Sequence, residues 1–432
     1  MKQLRKLKKE VGNWVAGEDR FWDREAEIPH FIELLDNGAH VLIVAPRRVG
    51  KTSLMREVMR RVEDRFTCLF IDLQKAQTPA DAMAELAFAT RPHQGLFART
   101  RELFKNALAN VETLGNDELM IKLRDGFSSS WQARAKRLLE DLAVAEKPVV
   151  IFLDELPILV NRLLRNAEGR RTAETVREAD VFMSFLRAQA LEHQGKLRFV
   201  VAGSIGLHPI LRSAGLSATV NHFTPFDLEP WDNYAAIGCI EALANDSGIK
   251  LGEGVPQKMV ALLGSCVPHH VQMFFMHLYM DAKRSGTDPA ISEQDVERVF
   301  CKSMLGSKGH SELSHFEERL TSVLPADDVP LAIDLLTEAA VSGKLTDAAI
   351  AILTEDATEL PSRIGFLPPT RNSNLSREQR ERVRNLLEIF EHDGYLRREV
   401  DGFVFVSRLV GEWWKARHHV GFVPANERRG SR

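Results

Sequence analysis

The chain has 432 residues, a formal net charge of −3, and 44% hydrophobic and 27% charged residues. This composition is that of a globular protein, and the small net charge excludes a polycation that binds phosphate backbones with its whole surface. The length exceeds the usual size of one hydrophobic core, so two or three domains are expected.

The cysteines and the apolar runs indicate a reduced, cytoplasmic protein. The four cysteines lie far apart in the sequence and show no Cys-x-x-Cys or zinc-ligand spacing. The basic first ten residues are not followed by the apolar run of a signal peptide, and no stretch of about 20 apolar residues occurs. We therefore expect a cytoplasmic location and no membrane partner.

In the first half of the chain, apolar runs alternate with segments of helical spacing, which is typical of a parallel α/β sheet. Residues 95–146 have a helical pattern without a strand, so they are predicted to be an insert in a sheet domain that spans 1–229. The predicted strands are 41–45, 67–73, 148–155, 197–204 and 223–228, and the predicted helices lie within 20–36, 52–62, 79–90 and 174–194.

The second half is predicted to be helical until a hairpin near its end. Residues 230–305 form a helical lid, and the polar segment 306–312 is predicted to be a linker. Within the last domain, 306–432, a helix from about Ser376 to His392 precedes apolar–polar alternation around Asp401-Gly402, the strongest short hairpin signal. Helices followed by a hairpin predict a winged helix.

The segment APRRVGKTS begins where the first strand ends and has the strand–turn–helix order of a phosphate-binding loop. In such a loop, backbone N–H groups and the positive end of the following helix bind phosphate oxygens. Lys51 is expected to reach the β- and γ-phosphates, the Thr52 hydroxyl to ligate Mg²⁺, and Gly50 to permit the tight turn. The candidate nucleotide-binding residues of the loop are Ala45, Pro46, Arg47, Arg48, Val49, Gly50, Lys51, Thr52 and Ser53.

The loop departs from the G-x-x-x-x-G-K-[ST] pattern at its first position, where Ala45 replaces glycine. If the turn needs no positive φ at this position, a methyl group is tolerated. If it does need one, nucleotide affinity falls.

Two carboxylates end the buried strand VVIFLDE. Asp154 is predicted to hold Mg²⁺ through a water, and Glu155 to polarise the attacking water as a general base. The next strand ends at Ser204, which is expected to orient that water or sense the γ-phosphate, to cap the helix over 205–213, or to do both. With Lys51, these residues predict nucleotide hydrolysis. ATP is favoured over GTP because no Asn-Lys-x-Asp element for guanine follows the loop.

With these residues assembled, the chain resembles the archaeal-type ATPases of prokaryotes, relatives of the STAND and origin-recognition AAA+ ATPases. The Arg-Arg-Val-Gly-Lys-Thr-Ser form of the loop is far more specific than a bare P-loop. The resemblance rests on FWDRE (21–25), PRRVGKTSL (46–54), PVVIFLDELP (148–157), RFVVAGSIGL (198–207) and GSCVPHHVQMFF (264–275).

The resemblance implies a five-stranded sheet of the ASCE type, in which the strand ending at Ser204 separates the Walker B strand from the P-loop strand. It places Pro268 in the lid near the nucleotide, and His269 there either senses phosphate or packs. Such ATPases usually form homo-oligomers in which a neighbouring subunit supplies an arginine. Arg47 and Arg48 are expected to contact the lid or a neighbour. The candidates for the supplied arginine are Arg170, Arg171 and Arg212.

The predicted function is an ATP-dependent switch or assembly ATPase coupled to double-stranded DNA through the winged helix. Interleaved glutamates on the same helix are equally typical of a solvated face. The candidate DNA contacts are Arg377, Arg380 and Arg384 on one face of the helix, and Arg397 and Arg398 in the hairpin.

The alternative is a protein-interaction switch in a defence, toxin or mobile-element system, in which the winged helix serves oligomerisation or docks an effector protein. Its docking surface would be an aromatic cluster that otherwise forms the core of the winged helix. The cluster consists of Phe403, Phe405, Trp413 and Trp414. A small-molecule kinase is less favoured, because Asp154 and Glu155 end an internal strand.

Overall fold

The computed structural model describes most of the chain in seven segments. They are residues 7–10, 13–17, 19–104, 116–128, 130–285, 290–359 and 375–428.

A five-stranded parallel sheet forms the centre of the first half, as predicted. The strands lie in the order β2-β3-β4-β1-β5, so β4 separates β3 from β1. This is the ASCE order expected from the resemblance, and it is confirmed. All six residues of β3 are buried, because a central parallel strand is covered on both faces. The strands are β1 (His40–Val44), β2 (Thr67–Asp72), β3 (Val149–Asp154), β4 (Leu197–Val201) and β5 (Phe223–Asp227).

Nine α-helices of the described segments, with a short 3-10 helix (Ser217–Val220) before β5, connect and cover these strands. They are α1 (Glu27–Asp36), α2 (Lys51–Val62), α3 (Pro79–Ala89), α4 (Gln94–Leu103), α5 (Asn116–Ser128), α6 (Trp131–Ala143), α7 (Leu156–Leu163), α8 (Ala173–Glu192) and α9 (Leu207–Ser213). Thus α4, α5 and α6 confirm the helical character of the predicted insert, within the part that the structure describes.

Two hydrophobic clusters lie on opposite faces of the sheet. One joins β1 to α1 and α2 through residues such as Phe31 and Val58. The other covers the opposite face with α3, the insert helices and α8, and it includes Phe127 and Phe182. Because both faces are buried, a site can form only from the residues that follow the carboxyl ends of the strands.

The lid helices and the C-terminal half share one hydrophobic core. The cluster runs continuously from Leu243 in the lid through Phe316 to Trp414 near the end of the chain. The linker predicted at 306–312 is wrong: residues Ser307–Leu313 form a helix whose Leu313 is buried in this core. The predicted division of the chain at 305/306 stays a prediction. The lid helices are α10 (Asn233–Ser247), α11 (Val255–Leu263), α12 (Pro268–Ser285) and α13 (Glu293–Val299), followed by a π-helical turn (Phe300–Met304).

The C-terminal half contains the helix–strand order of a winged helix. Leu345 lies between the helices Val329–Ser342 and Asp347–Glu359 and forms an antiparallel β-bridge with Phe403. This bridge joins these two helices to the hairpin, which is the wing of a winged helix. The antiparallel hairpin predicted around Asp401-Gly402 is present. The elements are α14 (Ser307–Leu313), α15 (His315–Val323), α16 (Val329–Ser342), α17 (Asp347–Glu359), α18 (Arg377–His392), β6 (Leu396–Glu399), β7 (Gly402–Phe405), α19 (Arg408–His418) and α20 (Ala425–Arg428).

None of the helices in the described part of the chain has the length and apolar character needed to cross a membrane.

Candidate functional site

The loop between β1 and α2 has the geometry of a phosphate-binding turn. Gly50 caps α2 at φ +103°, a conformation that disfavours a side chain, and a Cβ added to it would meet no atom within 4 Å. Arg48 also has a positive φ of 67°, whereas Ala45 lies outside the left-handed region. The condition under which a methyl group is tolerated at this position is therefore met.

Lys51 is buried at the start of α2, with 8% of its surface exposed. Its Nζ atom donates hydrogen bonds to the carbonyl oxygens of Ala45 (2.9 Å) and Pro46 (2.8 Å). Burial lowers the pKa of Lys51 to about 8, although the nearby charge of Glu155 opposes this shift. A buried ammonium group held by two neutral carbonyl oxygens favours an anionic ligand beside it.

Thr52 and Asp154 lie together although they are 102 residues apart in the sequence. The Thr52 hydroxyl donates to Asp154 Oδ2 at 2.7 Å, which ties the start of α2 to the end of β3. Burial raises the pKa of Asp154 to about 6, and the hydrogen bond from Thr52 opposes this shift. A hydroxyl and a carboxylate that converge on one point are hard oxygen ligands suited to Mg²⁺.

Glu155 and Ser204 are joined across the neighbouring strands β3 and β4. Glu155 has a φ of 60°, and its Oε2 accepts hydrogen bonds from the Ser204 amide (2.8 Å) and hydroxyl (2.9 Å). Such a conformation is strained for a residue other than glycine, and strain of this kind clusters at functional sites. The alternative in which Ser204 caps the next helix is wrong, because Gly206 occupies the N-cap of α9.

The lid contacts the loop through Arg48. The Nη1 atom of Arg48 lies 2.8 Å from Nε2 of His269 and 3.6 Å from the carboxylate of Glu312. Burial, and then the charge of Arg48, lowers the pKa of His269 to about 2, so this histidine is neutral. His269 is therefore a bridge between loop and lid, a role that neither of the two sequence alternatives described. Pro268 lines the same pocket as Gly50.

The FWDRE segment holds the loop against the lid, which its sequence alone did not reveal. Arg24 is 5% exposed and donates to the carbonyl oxygens of Val49 (3.3 Å) and Glu229 (2.8 Å). Trp22 donates its indole N–H to the carbonyl oxygen of Ala235 in α10 at 2.9 Å. The loop, the end of the sheet and the first lid helix thus share one support.

The C-terminal half also reaches the phosphate-binding loop. Gly394, in the turn after α18, lies so close to Pro46 that an added Cβ would be 2.7 Å from Pro46 Cβ. Next to it, the carboxylate of Asp393 is paired with Arg319 of α15 at 2.8 Å. Sequence reasoning missed these residues, since they belong to no motif and lie more than 260 residues from the loop.

The three arginines considered for an intersubunit role lie together around one cleft of this chain. Arg171 donates to the carbonyl oxygen of Ser213 at 2.5 Å, and Arg212 forms an ion pair with Glu388 of α18. Arg170 is exposed. The structure therefore assigns two of the three side chains to contacts within the chain.

The basic face predicted on the winged helix is exposed, whereas most of its aromatic cluster is buried. Phe403, Trp413 and Trp414 are each at most 4% exposed, so the hypothesis that the cluster is a docking surface is wrong for them. Phe405 is half-buried. The exposed arginines are Arg377, Arg380 and Arg384 on α18, and Arg397 and Arg398 on β6.

Comparison with known proteins supports the fold. No protein-family profile matches the chain. In sequence it is similar to an uncharacterized ATP-binding protein of Pyrococcus abyssi, with 21% identity over 221 residues, which cover 48% of this chain and 62% of that relative. The match thus spans less than two thirds of the relative.

Two solved structures are similar over almost the whole chain. One is a Walker-type ATPase of Pyrococcus abyssi, with a TM-score of 0.56, 16% identity, and coverage of 94% of this chain and 99% of that one. The other is the ORC2 protein of Aeropyrum pernix, with a TM-score of 0.50, 12% identity, and coverage of 91% and 93%. At these identities the likeness shows the fold, and the predicted α/β P-loop fold with a C-terminal winged helix is confirmed.

Restoring the missing glycine should change little. Because Ala45 needs no positive φ, we expect Ala45→Gly to leave the affinity for nucleotide within about twofold, while glycine lowers the free energy of unfolding by roughly 0.5–1 kcal/mol. Titration calorimetry and thermal unfolding measure the two quantities. A tenfold gain in affinity would show that the methyl group obstructs the loop.

Proposed function

We propose that this chain binds ATP with Mg²⁺ and hydrolyses it to ADP and phosphate. The observation that carries the proposal is the arrangement at the ends of β3 and β4. There, Asp154 is bonded to Thr52 of the phosphate-binding loop, and the next residue, Glu155, is bonded to Ser204. The relatives described as an ATP-binding protein and a Walker-type ATPase agree with it.

The loop residues fit a polyphosphate. Gly50 leaves open space where a side chain would stand, and Lys51 provides a buried cation beside it. Amide groups at the start of α2 add partial positive charge in the same direction. A phosphate oxygen would take over the hydrogen bonds that Lys51 now gives to the carbonyl oxygens of Ala45 and Pro46.

The donor set also fits a magnesium ion. Among the described residues no group of three or more His, Cys, Asp or Glu side chains gathers into a metal site of its own. Thr52 and Asp154 supply two oxygen atoms at one point, and Mg²⁺ bound beside substrate phosphates typically uses few protein ligands. Bound Mg²⁺ would neutralise charge on the phosphates, and the ion would hold Asp154 as a carboxylate.

Glu155 is placed to act as the general base. Its backbone is held in a strained conformation, and its Oε2 is fixed by Ser204. The other carboxylate oxygen, Oε1, is the one that can accept a proton from a water molecule that attacks the terminal phosphate. Ser204 thus positions the base.

A second proposal is that ATP turnover is coupled to double-stranded DNA. Arg377, Arg380 and Arg384 recur at helical spacing on α18, the last helix before the wing, and all are exposed. In winged helices a helix at this position enters the major groove, while basic residues contact phosphates. A protein-interaction switch with an effector partner is the alternative that a lack of DNA binding would favour.

Homo-oligomerisation stays part of the proposal. Arg170 is the candidate that could reach a neighbouring subunit without first leaving a side-chain contact described above, since Arg171 and Arg212 are engaged within the chain. An arginine supplied in this way stabilises charge in the transition state.

Removal of the base should stop turnover and leave binding intact. We expect Glu155→Gln to lower the rate of ATP hydrolysis by about 10²-fold to 10⁴-fold, the usual contribution of a general base. Phosphate release measures the rate, and calorimetry with ATP measures binding. The matched control is Glu391→Gln, an exposed carboxylate on α18. Hydrolysis by Glu155→Gln at the wild-type rate would contradict the assignment.

Affinity for MgATP should be highest between about pH 6 and pH 8. Below about pH 6, Asp154 must lose a proton before it can serve Mg²⁺. Above about pH 8, Lys51 must gain a proton before it can bind phosphate. Each requirement lowers affinity by up to about tenfold per pH unit.

The nucleotide phosphates titrate as well. The contribution of Asp154 below about pH 6 is therefore measured as the difference in affinity for MgATP between wild type and Asp154→Asn. In the same way, the contribution of Lys51 above about pH 8 is the difference in affinity between wild type and Lys51→Arg, because the arginine cation does not titrate in this range. Identical pH profiles in wild type and variants would contradict the assigned residues.

Charge removal from α18 should weaken DNA binding without regard to sequence. We expect Arg377→Ala with Arg380→Ala to lower affinity for every duplex tested, and to reduce the slope of log K against log salt by about 2. Fluorescence anisotropy over a salt series measures both. The matched control is Lys136→Ala with Arg137→Ala, which removes two exposed cations from α6. Equal affinity and slope in wild type and variant would reject DNA contact by this face.

A further inference from the structure

Arg319 is a buried cation in the C-terminal half of the chain. It lies on α15, with 6% of its surface exposed, and its Nη2 atom is 2.8 Å from Oδ1 of Asp393, which is itself 3% exposed. Burial opposes ionisation of Asp393, but Arg319 and then His392 overcome this effect and hold the pKa of that carboxyl below its usual value. The pair is therefore ionic.

The pair stands beside the phosphate-binding loop. Asp393 is followed by Gly394, which has a φ of 76° and packs so closely on Pro46 that no side chain would fit. The positive charge of Arg319 helps to lower the pKa of Lys51 and, after burial, is the largest cause that lowers the pKa of Arg47. Arg319 thus belongs to the electrostatic environment of the loop, although it lies on an element that follows the lid.

The guanidinium group has too few acceptors for its buried position. The distance from Nη2 to Asp393 is that of an ion pair, but the N–H direction is poor. Among the described residues neither Nη2 nor Nε has a well-aligned hydrogen-bond acceptor. Arginine carries five N–H donors, and a buried cation is stable only where acceptors surround it. Phosphate oxygens match the fork of donors that a guanidinium presents.

We propose that Arg319 binds the terminal phosphate of the nucleotide, and that Asp393 is the counter-ion which it exchanges for that phosphate. The turn that follows Asp393 packs on Pro46 of the loop, and the charges of both Arg319 and Glu155 act on Arg47, so the guanidinium group of Arg319 stands near the loop that would hold the γ-phosphate. Arg319 is rigidly part of the C-terminal core through its neighbours Phe316 and Leu320. The presence of a γ-phosphate is therefore sensed by the C-terminal half of the chain.

The inference rests on the proposed function, and calorimetric titration of the full chain tests both. The probes are ADP and the non-hydrolysable ATP analogue with an imido bridge, each with Mg²⁺. We expect Arg319→Gln to weaken binding of the analogue by about tenfold to a hundredfold, and that of ADP by less than about threefold. Arg319→Lys, which keeps a point charge without the fork, should lie between wild type and Arg319→Gln.

Asp393→Asn provides an opposite test, because it removes the competing carboxylate. We expect it to tighten binding of the analogue by about threefold to tenfold. The matched control is Arg382→Gln, which breaks the ion pair of α18 with Asp328 in the same half of the chain, and which should leave both affinities unchanged. If Arg319→Gln does not fold, Arg319→Lys and Asp393→Asn decide the matter.

The outcomes separate the two proposals. If the wild-type chain binds neither nucleotide, the proposed function fails. If it binds both, but Arg319→Gln weakens ADP and the analogue equally or changes neither, Arg319 does not sense the terminal phosphate. Weaker binding of the analogue by Asp393→Asn would likewise overturn the exchange.

Discussion

The buried ammonium group of Lys51 is the constraint around which the site is arranged. A cation in this position is unstable unless oxygen atoms surround it, and two carbonyl oxygens of the loop accept hydrogen bonds from it. The same loop must turn sharply, which Gly50 permits and Arg48 accepts at a strained φ. The carboxylates of Asp154 and Glu155, at and just after the end of β3, balance this charge, and the positive charge of Arg319 opposes it.

The parts of this site whose residues are neighbours in the sequence were predictable. A strand, a glycine turn and a helix follow one another between residues 41 and 62, and the strand that ends at Asp154 is apolar throughout. Local pattern also placed Ser204 at the end of a neighbouring strand, because parallel strands end at the same edge. The physical cause in each case is periodicity, which a single sequence shows directly.

Other parts depend on contacts between distant residues, and no local pattern reports them. Arg24 ties the loop to the end of the sheet through the carbonyl oxygens of Val49 and Glu229, and nothing in the sequence distinguishes this arginine from an exposed one. Glu312 lies in a segment rich in glycine and serine, so that composition indicated a linker. The structure instead makes the segment helical, because Leu313 and its neighbours complete the core that the lid shares with the winged helix. Tertiary burial decided the conformation there.

That shared core couples the position of the lid to the position of the winged helix. The lid and the winged helix cannot slide past each other without opening the core that they share. The His392 end of α18 lies against Gly206, close to the loop, whereas Arg377 lies at the opposite end of this 16-residue helix. A helix of that length spans roughly 24 Å, so a rotation of about 10° at the nucleotide displaces the basic end by roughly 4 Å. Under the proposed function, a small rearrangement around a bound phosphate would therefore move the basic end of α18 by several ångström.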